Sequence, residues 1–253
     1  APPMSKIDVS APPDEAQRRN FVRALLEDVH ALERMLEEGW IEEGVRRIGA
    51  EQEMFLVDRS YEPANKALQI LDRLKSGSYT TELAQFNLEA NLEPREFEGK
   101  CFSSMQKELD LLVDNARAAA ELEHTKIVLC GILPTLSKEH LGLESMTPIP
   151  RYLQLNRIMV EQRGGRFQTL IKGTDELQTT HENVMLEACN TSFQLHYQVG
   201  AKEFARLYNL AQVITAPVLA AAVNSPVLLR HRLWHETRVA LFQQSLDTRS
   251  EHQ

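Results

Sequence analysis

Three stretches of this chain alternate apolar and polar residues with the period of a β-strand, and their polar positions carry carboxylates or a histidine. The stretches are residues 48–57, 86–94 and 191–199. Residues two apart in a strand share a face, so Glu51 and Glu53 project together in the first stretch. We therefore expect a sheet with one apolar face and one polar, chemically active face.

The polar faces of the other two stretches contain acids, amides and one imidazole. They are formed by Asn87, Glu89, Asn91 and Glu93 in the second stretch, and by Ser192, Gln194, His196 and Gln198 in the third. If the three strands belong to one sheet, these faces merge with Glu51 and Glu53 into a surface of clustered acids beside a histidine. Divalent cations bind oxygen ligands of this kind, so the pattern predicts a metal-binding surface.

The rest of the pattern predicts helices and shorter strands around this sheet. We expect helices at residues 13–39, 104–124, after Arg151 and at 203–223, and further strands at 126–133 and 166–171. Pro217 is expected to kink or split the last helix, because proline removes a backbone hydrogen bond. The fold class is α+β, an antiparallel or mixed sheet with helices packed on one face. The open face is expected to be the working one.

Composition narrows the class of partners. The chain has 253 residues and a formal net charge of −8, which disfavours nonspecific binding to nucleic acids or anionic membranes. No apolar run is long enough for a membrane span. The cysteines Cys101, Cys130 and Cys189 are scattered, so no disulfide framework or zinc knuckle is expected, and a reducing cytoplasm fits. Residues 1–13 are expected to form a flexible tail and residues 14–253 a single domain.

Each acidic candidate also has an ordinary interpretation. Paired acids on a strand are commonly just solvated, but Glu51 and Glu53 follow an apolar start typical of a central strand, where they would repel unless a cation joined them. Glu82 and Glu89 are seven residues apart, so both can serve one site only if a bulge or bend intervenes near Ala84. Otherwise Glu82 is an ordinary acid near a turn. Glu89 is the stronger candidate, because it lies mid-strand on the polar face.

The histidines differ in their surroundings. A histidine in a strand is more often a hydrogen-bonded spectator than a ligand, but His196 shares its face with polar residues and so faces a polar cavity. His181 follows two threonines in an expected loop. His231 and His235 lie among arginines, and no catalytic role is expected for these three histidines.

The C-terminal region concentrates arginines in an otherwise acidic chain. Guanidinium groups bind phosphate and carboxylate in a bidentate way, so Arg238 and Arg249 are candidate anion-binding residues. Arg230 and Arg232 are instead expected on a solvated helix face, paired with acids such as Glu236. No glycine-rich phosphate loop of either common type occurs, so a nucleotide would be held through metal and arginine.

Several stretches taken together resemble one known family. The paired glutamates at 51 and 53, the glutamates at 82 and 89, and the stretches GILPTL, EACNTSFQLH, NSPVLLRHRLW and ETRVALFQQSLDTR resemble the bacterial branch of the second glutamate-cysteine ligase family. That family is a group of carboxylate-amine ligases in the glutamine synthetase superfamily. The resemblance covers nearly all of residues 46–249 and is more specific than any single motif.

The resemblance implies a glutamine synthetase-like catalytic fold and a reaction that uses ATP and Mg²⁺, with Mn²⁺ as an alternative metal. A substrate carboxylate, commonly that of glutamate, is phosphorylated, and the amine of a second substrate attacks the acyl phosphate. The implied partners are glutamate or a similar carboxylate and an amino-acid amine, with no nucleic acid or membrane. Glutathione biosynthesis in the cytoplasm is the implied setting, and a homo-oligomer is one of the open alternatives.

The same resemblance assigns roles residue by residue. The implied metal ligands are Glu51, Glu53, Glu82, Glu89 and His196. The implied substrate-binding residues are Asn190, Ser192 and Gln194. The implied catalytic residues, which would face phosphate or carboxylate, are Arg238 and Arg249. Family members extend beyond the point where this chain ends, so a truncated domain is also expected.

Two other functions remain open from the sequence. A noncatalytic module could keep the ligand-binding face and bind a nucleotide or an amino acid without turnover. A metal-dependent hydrolase is the other alternative, because clustered acids with a histidine also activate water.

Overall fold

A computed structural model of the chain describes residues 15–246, and the predicted tail at 1–13 lies outside the described residues. The helices are α1 (Glu15–Glu37), α2 (Ala67–Leu74), α3 (Cys101–Glu121), α4 (Pro150–Gln162), α5 (Phe204–Ala221) and α6 (Arg238–Leu246). The strands are β1 (Arg47–Val57), β2 (Tyr79–Thr81), β3 (Asn87–Asn91), β4 (Arg95–Glu96), β5 (Lys126–Val128), β6 (Phe167–Lys172), β7 (Glu176–His181), β8 (Phe193–Tyr197), β9 (Val227–Leu228) and β10 (His231–Arg232). The predicted α+β class is confirmed. Within this part of the chain, no helix has both the length and the apolar character needed to cross a membrane.

The main sheet is built around β1, and all its pairings are antiparallel. One edge of β1 pairs with β3 and β4, and the other edge pairs with β8 and β5, while β2 extends the sheet beyond β3. The three predicted strands are therefore neighbours in the order β3, β1, β8. Their polar faces meet, as the sequence predicts.

Alternation along β1 divides its side chains between two hydrophobic cores. The residues that point toward α2 and α3 are Ile48, Ala50, Met54 and Leu56. On the opposite face Phe55 and Val57 enter a second core, which includes Phe167 of β6 and Leu241 of α6. Glu51 and Glu53 lie on this second face, before the core begins. The carboxylates thus lie on a stretch of the strand next to a closely packed region, which holds their backbone rigidly.

The strand predicted at 126–133 is shorter than expected. Only Lys126–Val128 pairs with β1, at the end of β1 that contains Val57. The backbone of Gly131 instead donates to the carbonyl oxygen of Asn224 at 2.9 Å and accepts from the amide of Thr191 at 3.0 Å. Because its hydrogen bonds join loops, the apolar run leaves the sheet early.

A hairpin formed by β6 and β7 lies outside the main sheet. The sequence predicts β6 but not β7, whose residues ELQTTH include a single large apolar side chain. The expectation that His181 lies in a loop is wrong, since it ends β7 and stacks on Phe167 with ring centroids 5.1 Å apart. Burial, followed by the charges of Arg163 and Lys138, lowers the pKa of His181 to about 4.

The helices α1 and α5 form where the spacing predicts them, but their apolar side chains are exposed. Phe21 of α1 is 68% exposed and Val213 of α5 is 73% exposed. The chain continues as helix through Pro217, so the predicted split of this segment is wrong. Pro217 lies four residues before the end of α5, where the loss of one hydrogen bond does not end the helix.

Candidate metal and substrate site

Three carboxylates converge on the polar face of the main sheet. The register of β1 and β3 places Glu53 directly opposite Glu89. Glu82 follows the end of β2, after which the chain turns back into β3, so the bend that the sequence requires near Ala84 is present. One carboxylate oxygen from each of the three glutamates lies within 4.8 Å of the other two. This spacing suits joint coordination of one cation.

The carboxylate of Glu53 is held in place by β8 and the residue before it. The backbone amide and hydroxyl of Ser192 donate to its two oxygens at 2.9 Å and 3.1 Å. The side-chain amide of Gln194 donates to it at 2.7 Å. Glu53 therefore has a fixed orientation that does not depend on a bound ligand.

The electrostatics of the three carboxylates favour a cation. Burial, a hydrogen bond to Glu89 and the charges of the neighbouring acids raise the pKa of Glu82 to about 9. Burial also raises the pKa of Glu53, although the hydrogen bonds from Gln194 and Ser192 oppose this. An all-carboxylate oxygen set is the donor chemistry of Mg²⁺ and Mn²⁺, and the charge of a divalent ion would oppose the burial and the repulsion that keep Glu82 protonated.

Glu51 and His196 form a second, adjacent group. The imidazole Nε2 lies 3.6 Å from a Glu51 oxygen, and both residues line a cavity of about 160 Å³ together with Asn91 and Gln198. Burial, followed by the charge of Glu89, raises the pKa of Glu51, while His196 opposes the rise. The five predicted metal ligands thus lie in one region of the sheet, but in two groups of three and two.

Arg238 and the three carboxylates line one cavity of about 530 Å³. Its Nε donates to Glu236, and its Nη1 donates to the carbonyl oxygen of Thr191 at 2.7 Å. Burial acts to raise the pKa of Glu236, but the hydrogen bonds from Arg238 and Ser225 lower it on balance. The guanidinium is therefore held in place at the cavity that the acids line. Arg249, the other predicted arginine, lies outside the described residues.

The other arginines have different partners from those expected. Arg232 pairs with Asp175 at 3.2 Å in the turn between β6 and β7. Glu236, the expected partner of Arg230 and Arg232, is instead the partner of Arg238. The expected pairing is therefore wrong, because β10 lies against the hairpin turn and directs Arg232 away from Glu236.

The cavity also contains one acid that the sequence analysis did not single out. Asn190, Ser192 and Gln194, the predicted substrate-binding residues, all line it, and so does the unpredicted Glu187. Glu187 lies in a short 3-10 helix before β8. Burial and the charge of Glu53 raise its pKa to about 7. Glu187 begins the stretch EACNTSFQLH, which resembles the family, and this position could have identified it. The residue does not belong to an alternating strand pattern, so the alternation did not single it out.

The fold and the site define an α+β protein in which an antiparallel sheet presents convergent carboxylates to a cavity that also contains an arginine. The family model described as Glutamate-cysteine ligase family 2 (GCS2) matches residues 47–251, and the chain belongs to this family. Membership supports a carboxylate-amine ligase-like function. Among curated proteins, none matched the sequence significantly.

Proposed function

We propose that the protein is an ATP- and Mg²⁺-dependent ligase that joins a carboxylate of glutamate to the amine of a second amino acid, with cysteine as the first candidate. The observation that carries the proposal is the single cavity that contains Glu53, Glu82 and Glu89 together with Arg238. The three acids supply oxygen ligands for a cation, and the arginine supplies a fixed positive charge for phosphate or carboxylate.

The reaction has two steps. An oxygen of the substrate carboxylate attacks the γ-phosphorus of ATP, the bond to the β-γ bridging oxygen breaks, and ADP leaves. The neutral amine then attacks the acyl carbon, the bond from that carbon to the phosphate oxygen breaks, and phosphate leaves as the nitrogen loses a proton. The products are an amide, ADP and phosphate.

The residues of the chain would hold and neutralise the reacting groups. Glu53, Glu82 and Glu89 would hold Mg²⁺, which when bound neutralises charge on the phosphate oxygens. Glu53 is positioned in advance by Ser192 and Gln194, so little reorganisation is required when the ion enters. Glu82 must lose its proton to act as a ligand, which links metal binding to pH.

The direct test measures ADP released when the protein is incubated with ATP, Mg²⁺, glutamate and a panel of amino acids. We expect release that depends on the amine and is lost in the presence of EDTA. Glu89→Gln removes one charge from the three carboxylates and should reduce kcat/KM by about a hundredfold or more. Glu93→Gln makes the same chemical change at an exposed position after β3 and should leave the rate close to that of the unmodified protein.

Product analysis separates the ligase from the rival functions. A new amide bond, detected by mass spectrometry, supports the proposal. Phosphate release without an amide would favour a hydrolase, and ATP binding with no turnover for any amine would favour a noncatalytic module. Either of these results would overturn the ligase assignment.

A further inference from the structure

Glu187 is a charged group in the cavity for which the metal chemistry provides no role. Its side chain is half-buried and lines the cavity. Within residues 15–246 its side chain makes no hydrogen bond or ion pair. It also lies outside the compact group formed by Glu53, Glu82 and Glu89. A half-buried carboxylate that has no donor from the protein is free to accept hydrogen bonds from a ligand.

Asn190 provides a second unused acceptor in the same cavity. Its side-chain Nδ2 donates to the backbone carbonyl of Glu187 at 3.1 Å. This bond fixes the amide so that Oδ1 is the free atom. Oδ1 is buried and has no hydrogen-bond donor in the described part of the chain. Glu187 and Asn190 therefore both line the cavity, and each has an acceptor without a donor in the described part of the chain, one of them charged.

A compact cation with several N–H donors complements this arrangement. An ammonium group supplies three donors and a positive charge, so it can satisfy both a carboxylate and an amide oxygen. Water could satisfy the hydrogen bonds but not the charge. A second metal ion is less well matched, because the pair offers only one carboxylate and the neighbouring acids already form their own group.

We propose that Glu187 and Asn190 bind the ammonium group of an amino-acid substrate. The inference deepens the proposed ligase function and rests on it. Arg238, although it is paired with Glu236, lines the same cavity, so a guanidinium as well as a carboxylate borders the space for a zwitterion. The pair would make the site select amino acids over the corresponding acids that lack the amine.

The test compares ligands that differ only in the ammonium group. Isothermal titration calorimetry would measure the binding of L-glutamate against glutarate, and of L-cysteine against 3-mercaptopropionate, in the presence of Mg²⁺ and a nonhydrolysable ATP analogue. We expect the unmodified protein to prefer the ammonium-bearing member of at least one pair. Glu187→Gln should weaken binding of that member about tenfold or more and leave its deaminated counterpart nearly unchanged.

Matched variants separate recognition from folding. Glu182→Gln makes the same change five residues away, where the side chain is 72% exposed, and should leave both affinities unchanged. Asn190→Ala should reduce the preference in the same direction as Glu187→Gln, but by a smaller factor. Circular dichroism and the unfolding midpoint establish that each variant is folded. A merely structural role for Glu187 would weaken both members of a pair equally.

The outcomes also distinguish this inference from the ligase proposal. If the unmodified protein shows no preference in either pair, or if Glu187→Gln keeps the preference, the ammonium site is overturned, whatever the rate of ADP release. If the preference exists and is lost in Glu187→Gln, the site stands. In that case an absence of amine-dependent ADP release would overturn the ligase function alone.

Discussion

Glu53 and Glu82 are both half-buried, but their neighbours give them different properties. Glu53 receives three hydrogen bonds, two from Ser192 and one from Gln194, which stabilise its charged form. Glu82 accepts a hydrogen bond from the backbone amide of Leu83 at 3.3 Å, but its hydrogen bond with Glu89, another acid, acts to raise its pKa. Of the two proposed ligands, Glu53 is thus the one oriented in advance and Glu82 the one that retains a proton.

The retained proton on Glu82 predicts an unusual dependence of stability on pH. The unfolded chain releases this proton near the ordinary pKa of 4.5, whereas the folded protein holds it up to about 9. The unfolded state therefore binds fewer protons between these values, and raising the pH across this window favours unfolding. Glu187, with a pKa of about 7, acts in the same direction over the lower part of the window.

We expect the free energy of unfolding, measured by urea titration in EDTA, to fall as the pH rises from about 5 to about 9. In Glu82→Gln the fall should be smaller by about 1 kcal/mol or more, because the substituted amide does not titrate. The exposed substitution Glu139→Gln is the control and should leave the slope as it is. An unchanged slope in Glu82→Gln would contradict the assignment of the proton.

Gln194 provides a second prediction at the scale of single residues. Gln194→Ala removes the 2.7 Å hydrogen bond to Glu53 and should both raise the pKa of that carboxyl and leave its orientation to the two hydrogen bonds from Ser192. Loss of such a supporting contact commonly weakens metal binding about tenfold. Calorimetric titration with Mg²⁺ or Mn²⁺ measures the change. Gln168→Ala, on the exposed face of β6, should bind the metal like the unmodified protein, and equal affinities for both variants would refute a supporting role for Gln194.

At the scale of secondary structure, β1 organises the molecule. Its 11 residues pair with four other strands, and its two faces contribute to two separate cores. A one-residue slip of β8 or β3 against β1 would turn every polar side chain of that strand to the apolar face. The register therefore fixes the fold and the site together.

The turn between β6 and β7 closely approaches the backbone that follows β10. The amide of Asp175 donates to the carbonyl oxygen of Arg232 at 2.7 Å, which fixes the hairpin against β10. A Cβ atom on Gly173 would lie 2.6 Å from backbone atoms of Leu233. Glycine is therefore required at this contact, because backbone cannot move aside as a flexible side chain can.

Gly173→Ala should consequently destabilise the protein by roughly 1–3 kcal/mol, since the hairpin must separate from β10 to make room. Urea titration with tryptophan fluorescence measures the change. Gly77→Ala is the matched control, because a Cβ there meets nothing within 4 Å, and it should shift stability by less than about 0.5 kcal/mol. If both variants unfold at the same urea concentration, the close contact does not hold in solution.

The sequence predicts the elements of this fold better than their limits. Alternation in the three stretches predicted β1, β3 and β8, and helical spacing predicted α1, α3 and α5. The strand β7 was missed because ELQTTH has too few apolar residues to show a period. The length of the strand predicted at 126–133 was overestimated, because an apolar segment can enter a core without pairing in a sheet. Tertiary hydrogen bonds decided both cases.

At the scale of the whole molecule, the cysteines report on folding. Cys101 and Cys189 are buried and Cys130 is half-buried, and all three are free. Burial raises the pKa of Cys130 to about 11 and also raises the pKa of Cys189. The thiolate is the reactive form, so these thiols should be slow to react in the folded protein.

We expect an aromatic disulfide reagent at pH 8 to modify the folded protein slowly, about tenfold or more below the rate of a free thiol. In guanidinium chloride all three cysteines should react quickly. Glutathione in the same buffer provides the reference rate for a free thiol. Rapid reaction of Cys189 in the native protein, located by mass spectrometry, would show that the second core opens readily.

The amino-acid sequence alone determined the strands that carry the site, because side-chain alternation is a local property of an extended backbone. It also placed Glu53, Glu89 and His196 on polar faces. Only the tertiary structure decided that the turn before β3 brings Glu82 to Glu53, that Glu51 and His196 form a separate pair, and that Glu187 enters the same cavity as Arg238. These groupings depend on the paths of turns and loops and on the packing of α6, which no spacing along the chain specifies.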